Sequence, residues 1–255
     1  MAKRKAKIIT ISSMKGGVGK STSAIIFANI LTKNNKKVLL IDMDDQSSVT
    51  SYYFEELKNH RFDVLKRNIG EVIRDKIEII QALININNNL DLIPACITLD
   101  DLNNICYCSS NYKYIEWGLK DKLTIIKNNY DYVIIDTNPK RNFTLKAALL
   151  SSDYVISPMV AEKWSMEAFE VLKKYVDSVS AIPIFIVITR FKKNFSHKSL
   201  LDIVKFKENF LGVINEREDL NKRIGCNEEF DFSKDYIIEY HNVLDSFLSK
   251  TDILS

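Results

Sequence analysis

The chain reads as one α/β domain: a mostly parallel, twisted sheet with helices on both faces. Three observations predict it. Short runs rich in Ile and Val alternate with longer segments of helical period. Two of those runs, Lys37–Asp42 and Tyr132–Asp136, are almost continuously apolar, as strands buried on both faces require. The chain has only seven glycines and four prolines, yet Gly16, Gly17 and Gly19 cluster between a strand pattern and a helix pattern.

The elements follow in order. Lys7–Ser13 alternates as a strand, and Ser21–Lys33 is helical, with Ile25, Ala28, Leu31 and Thr32 on one face. Lys37–Asp42 is the first fully buried strand, and Leu90–Pro94 is a weaker one. Ile115–Asn128 is helical, Tyr132–Asp136 is the second buried strand, and Phe143–Leu150 is a helix. Tyr154–Ser157 is a strand that Pro158 is expected to stop, because proline has no N–H for a ladder. The helix over Ser165–Val179 presents Phe169, Leu172, Val176 and Val179 together. Ile184–Thr189 is the last central strand, with Phe210–Ile214 at an edge, and helices over Glu218–Gly225 and Asp235–Leu248 close the chain. No linker or repeat divides residues 1–255; residues 1–6 and 250–255 are expected to be flexible tails. The run Asn87-Asn88-Asn89 reads as compositional bias.

Bulk properties narrow the function classes. The chain has 255 residues, 46% of them hydrophobic, enough for a sizeable core. No stretch approaches the roughly 20 apolar residues of a membrane span, and the basic start MAKRKAKIITIS is too short in its apolar run for a signal peptide. A cytoplasmic protein is expected. Cys96, Cys106, Cys108 and Cys226 lack paired C-x-x-C spacing, so they read as reduced thiols, not as cluster ligands. A net charge of +3 is compatible with nucleic-acid binding without indicating it.

The glycine cluster carries the chemistry. SSMKGGVGKST ends like a phosphate-binding loop, but Met14 stands where the pattern G-x-x-x-x-G-K-[ST] has its first glycine, with Lys15 beside it. Glycines let backbone N–H groups turn inward around phosphates, and the following helix adds its positive end. Lys20 is placed to reach the β- and γ-phosphates, the Ser21 hydroxyl to ligate Mg²⁺, and Thr22 to bond the α-phosphate. Such a loop needs acidic residues at neighbouring strand ends. Asp136 suits Mg²⁺, held through water, and an aspartate at Asp42 or Asp44 suits orienting the attacking water.

With these residues the chain resembles the ParA/MinD group of ATPases, whose deviant phosphate loop reads K-G-G-x-G-K-[ST]. Lys15-Gly16-Gly17-Val18-Gly19-Lys20-Ser21 matches it, and the resemblance continues through LLIDMDDQSS, YDYVIIDTNP and SSDYVISPMVAEKWSMEAF. The D-x-D-x-Q and P-x-x-A-E segments are most similar to ParA-type partition ATPases, and the asparagine-rich composition is similar to those of spirochaete plasmids. The resemblance implies a P-loop NTPase fold with ATP and Mg²⁺ as ligands. It implies that Lys15 crosses a nucleotide-sandwich homodimer to the partner's phosphates, that Lys20 and Asp44 serve hydrolysis, and that Asp42 is at most an outer-shell group near the metal. Three departures stand out: Asp44-Asp45-Gln46 in place of D-P-Q, Thr137-Asn138-Pro139 in place of two prolines, and Ile214-Asn215-Glu216 in place of I-P-R near the adenine.

The same resemblance implies non-specific DNA binding by the ATP dimer, hydrolysis stimulated by a centromere-binding ParB-like partner, and association with the nucleoid. Candidate DNA contacts are Arg190, Lys192, Lys193 and Lys198, near His197, with Arg217, Lys222 and Arg223 as a second group. Lys3-Arg4-Lys5 reads as a disordered tail. A MinD-like membrane ATPase is disfavoured because DSFLSKTDILS is not a basic amphipathic helix. A non-hydrolysing, nucleotide-gated DNA scaffold stays open because of Asp45 and Asn138.

Overall fold

The computed structural model describes residues 6–102 and 112–253. Its first half runs β1 (Lys7–Ile11), α1 (Lys20–Lys33) and β2 (Val38–Met43). Three short helices follow, α2 (Ser48–Tyr52), α3 (Phe54–Asn59) and α4 (Ile69–Ile73), then β3 (Ile84–Asn87) and β4 (Leu90–Ile93). The second half alternates α5 (Tyr112–Ile126), β5 (Tyr132–Thr137), α6 (Phe143–Ser151), β6 (Tyr154–Val160) and α7 (Lys163–Val179). It ends with β7 (Ile184–Phe191), α8 (Phe195–Val204), β8 (Phe210–Asn215), α9 (Glu218–Gly225) and α10 (Asp235–Ile253).

All eight strands form one sheet in the order β3-β4-β2-β5-β1-β6-β7-β8. Only the β3–β4 pair is antiparallel among the described strands. The continuous apolar runs are explained by two-sided burial. Along β2, Val38 and Leu40 join the core beneath α1 and α10, while Leu39 and Ile41 join the core beneath α4, α5 and α6. A third cluster packs α6, α7 and α8 on β6 and β7. The parallel arrangement brings the C-terminal ends of β1, β2, β5, β6 and β7 to one edge, with β1 in the middle. Ligands of open α/β sheets bind along this edge.

The structure departs from the sequence reading in five places. Pro158 does not stop β6, which runs through Val160. N–H and C=O of one strand residue point the same way, and the Ile156 carbonyl accepts from Ser12 N on the β1 side. Pro158 therefore faces where β1 has already turned away, and no ladder bond is lost. Residues 84–87, unassigned in the sequence, form β3. The asparagine run makes its turn to β4, with Asn89 N–H donating to Asn87 Oδ1 at 3.0 Å. Helix α8 was hidden under a basic reading, although His197, Leu200 and Val204 bury one helical face. The three short helices after β2 also went unread. Finally, residues 250–253 belong to α10: Thr251 is fully buried, and Lys7 Nζ reaches Thr251 Oγ1 and Asp252 Oδ1. The readings on Cys106, Cys108 and Lys3-Arg4-Lys5 lie outside the described residues, whereas Cys96 is buried and Cys226 exposed, both as free thiols.

Candidate nucleotide site

The loop after β1 is shaped by its glycines. Gly17 (φ 71°) and Gly19 (φ 82°) take left-handed backbone, and a Cβ at either would meet open space. Backbone geometry, not crowding, demands glycine there. Met14 turns away from the loop and packs against the β6–β7 core. From β7, the Thr189 hydroxyl donates to the Val18 carbonyl at 2.7 Å. That bond ties the Val18 carbonyl back to β7.

Strand register supplies the acidic side. Asp136 lies level with Ile11 on one neighbour and with Asp42 on the other. Lys20, Asp42, Asp44 and Asp136 are all buried at this edge. Burial, then the Asp42 charge, pushes the Asp136 carboxyl well above the usual carboxylate range; Ser21 and Lys20 only partly oppose this. Burial lowers Lys20 from the ordinary lysine range, against the pull of Asp136 and Asp44. Asp44 is also raised, by burial first, although its Oδ1 accepts from Gln46 N–H at 2.9 Å.

Asp42 has a different employment. Its Oδ2 accepts from Thr50 N–H at 2.9 Å and Thr50 Oγ1 at 2.7 Å, and its Oδ1 accepts from Asp44 N–H at 3.1 Å. It straps the turn after β2 to α2, with burial raising its pKa to about 6. Asp136 is the opposite case: neither carboxylate oxygen makes a hydrogen bond of ordinary geometry, Ser21 standing close enough only to lower its pKa, and Ser12 Oγ, just past the end of β1, and Asn138 Nδ2 also lack a partner. Buried polar groups without partners are rare. Three carboxylates against one ammonium leave an excess of negative charge that a divalent cation offsets, so these residues fit Mg²⁺ beside a phosphate group.

A cavity of ≈ 420 Å³ opens from the glycine loop toward the β8–α9 segment, lined among others by Lys20, Thr22, Asp44, Asn215 and Tyr240. The departure at Ile214-Asn215-Glu216 is fastened from α10. Glu239 accepts from Asn215 N–H at 2.8 Å and Asn215 Nδ2 at 2.6 Å, and meets Arg217 Nη2 at 3.3 Å. The extra aspartate is likewise accommodated, because Asp45 Oδ2 accepts from Lys140 Nζ at 3.2 Å. Burial would raise Asp45, but its hydrogen bonds with Asp44 and Lys140 hold it below the usual range.

Lys15 stands outside this cluster, with its ammonium 2.5 Å from Glu162 Oε2. That bond holds Glu162 below the usual glutamate range. The candidate DNA cations divide. Lys193 and Lys198 are exposed, and no ion pair engages either among the described residues. Lys192 Nζ pairs with Glu216 Oε2 at 2.8 Å, and Arg223 Nη1 donates to the Glu229 carbonyl at 2.7 Å. His197 is buried, with Nδ1 accepting from Lys192 N–H. Arg190 turns to the phosphate loop itself, donating to the Gly17 carbonyl at 2.9 Å. Glu162, Glu239, Lys140 and Glu216 went unread as partners because each meets the site through the fold; only the charge at Asp45 signalled the need for a nearby cation.

Comparison with known proteins follows the same geometry. Residues 6–184 match the family described as AAA domain. A putative plasmid partition protein from Borrelia burgdorferi B31, solved with AMPPNP bound, is 51% identical, with TM-score 0.91 over 96% of this chain and 100% of that one. The chain belongs to the ParA-type partition ATPases. A second structure, of a plasmid partition protein from Borrelia burgdorferi, is 47% identical with TM-score 0.85 over 96% of this chain and 99% of that one. The sporulation initiation inhibitor protein Soj of Bacillus subtilis is 33% identical over 65% of this ParA-type chain and 63% of Soj, so the match spans just under two thirds of that relative. None of the described helices is long and apolar enough to cross a membrane.

Proposed function

We propose that this chain is an ATPase that binds ATP and Mg²⁺, dimerises when it does so, holds DNA non-specifically as the dimer, and partitions a plasmid or other replicon with a centromere-binding, ParB-like partner. The observation that carries the reading is the strand-end cluster. Register brings Asp136 beside Asp42 at the mouth of a glycine loop, with Lys20 buried against them and neither Asp136 oxygen in a hydrogen bond of ordinary geometry.

In this reading the backbone N–H groups of residues 16–22 and Lys20 bind the phosphates, while Ser21 and, through water, Asp136 hold Mg²⁺. The bound cation supplies charge neutralisation of the phosphate oxygens. Asp44 orients the attacking water, and its raised carboxyl suits it to take the water's proton as hydrolysis proceeds. Lys15 exchanges Glu162 for the phosphates of a second subunit. Facing ATP sites repel each other unless a cation stands between them, so the exchange makes dimerisation depend on the nucleotide. Lys193 and Lys198, exposed and outside any ion pair among the described residues, are offered to DNA phosphates; Arg217 and Arg223 join them by leaving internal carboxylate or carbonyl partners.

Two features bear on the alternatives. Tyr236, Tyr240, Val243, Leu244 and Phe247 of α10 are buried in the main core, so the main apolar face of that helix is already covered by the sheet. The Asp45 charge is paired with Lys140, so it adds no free negative charge that would forbid hydrolysis. DNA retention measured in parallel with Mg²⁺-ATP and with Mg²⁺-ADP tests the proposal. Retention only with ATP, followed by phosphate release above an Asp44→Ala control, is expected. Gated retention without release would favour the scaffold, and equal retention in both nucleotides would remove the switch.

A further inference from the structure

The basic run Thr189–Lys193 looks like a single surface, but the fold splits it. The β7–β8 pairing slips between Ile188 and Phe191, and within that slip Arg190 adopts a left-handed backbone (φ 51°). A bulge re-aims a side chain, and a non-glycine residue held at positive φ persists only where its surroundings over-determine it. Here the surroundings are two groups on opposite sides. Arg190 Nη1 donates to the Gly17 carbonyl at 2.9 Å, and its Nε and Nη2 meet Glu216 Oε1 at 3.4 and 3.3 Å. Thr189, the residue before, holds the Val18 carbonyl.

We propose that Arg190 is a positioning residue of the nucleotide site, tying the phosphate loop to the β8–α9 segment through Glu216, and not a DNA contact. This rests on the reading of that cavity as an ATP site. Gly17, on the glycine loop, and Glu216, just after β8, both line the cavity, as does Arg190 between them. One guanidinium spanning them fixes the distance between the two walls. Tying down the Gly17 carbonyl also fixes the peptide that follows it. Glu216 is held by a second cation, Lys192, which keeps its carboxyl ionised below the usual range and available to Arg190. Lysine cannot replace this arrangement, because it lacks the planar fork that reaches two acceptors on different sides.

The test uses Arg190→Gln, Arg190→Lys and Glu216→Gln in the full chain, each checked for an unchanged melting transition. Affinity for a fluorescent non-hydrolysable ATP analogue is measured first; DNA retention is then measured at saturating analogue. Arg190→Gln and Arg190→Lys should both weaken nucleotide binding by about tenfold, the size of one charge-assisted hydrogen bond, with Glu216→Gln weaker by a smaller factor. At saturation all three should retain DNA as the parent does. Arg190→Lys decides the matter, since it keeps the charge a DNA contact needs but loses the bridge. Unchanged nucleotide affinity in it, or DNA loss at saturation in Arg190→Gln alone, overturns the proposal. If the parent chain itself does not bind the analogue, the reading of the cavity fails instead.

Discussion

Two lysines flank one glycine loop in opposite surroundings. Lys20 is buried among carboxylates, and Lys15 is half-exposed on a single glutamate. An ion pair of that exposure contributes on the order of 1 kcal/mol or less, so Lys15 can leave Glu162 readily for phosphate. Lys15→Ala should therefore bind ATP about as well as the parent yet stay monomeric. Asp44→Ala should keep dimerisation and lower steady-state phosphate release by about a hundredfold or more, the usual contribution of a positioned general base. Asp42 gives a pH signature. Its folded pKa of about 6 lies above the unfolded carboxylate value, so the folded state binds the extra proton. Nucleotide-free protein should lose stability as pH rises from about 4 through about 6, by up to about 3 kcal/mol from this group. Thermal melts of the parent and Asp42→Asn across that range check it; parallel curves would remove Asp42 as the source. The placing of Lys20 directly after a turn of left-handed glycines was legible in local spacing, and the placing of Asp136 at a strand end was legible in the continuous apolar run before it. Glu162, Glu216 and Lys140 were not legible, since their partners are remote in the chain.

At the scale of elements, sequence period sufficed wherever one element's burial is decided by its own residues. The two continuous apolar runs, β2 and β5, lie in the sheet interior as expected. It failed where a neighbour decides. Pro158 looked like a stop signal, but whether a missing N–H matters depends on how far β1 extends beside it. The polar β3 is legible only as an edge strand once β4 is placed. The α10 helix ran longer than its amphipathic pattern because Lys7 caps the packing of its last turn. That helix closes one face of the sheet, with the Phe247 ring meeting Tyr154 and Phe185 edge-on at 5.5 and 5.3 Å. Phe247→Ala should cost about 3–5 kcal/mol by denaturant unfolding. The Asp45–Lys140 pair should differ: Lys140 is exposed, so a double-mutant cycle should find about 1 kcal/mol or less of stability.

At the scale of the molecule, the proposed function draws every group it uses from one sheet edge. The loop, the carboxylates, Lys15 and the β7–α8 cations all stand at the C-terminal ends of parallel strands. A dimer formed across that edge doubles the free cations, and polyanion affinity rises steeply with their number. Replacing both Lys193 and Lys198 by alanine should flatten the log-log salt dependence of DNA retention by about 0.9 per lost phosphate contact. The whole scheme depends on nucleotide-gated pairing. Its most direct measure is the molar mass in solution with Mg²⁺ and a non-hydrolysable ATP analogue, compared with ADP. The 29.4 kDa chain should double in mass with the analogue, stay single with ADP, and stay single in both for Lys15→Ala. A parent chain that remains single with the analogue, or a Lys15→Ala chain that doubles, would contradict the account.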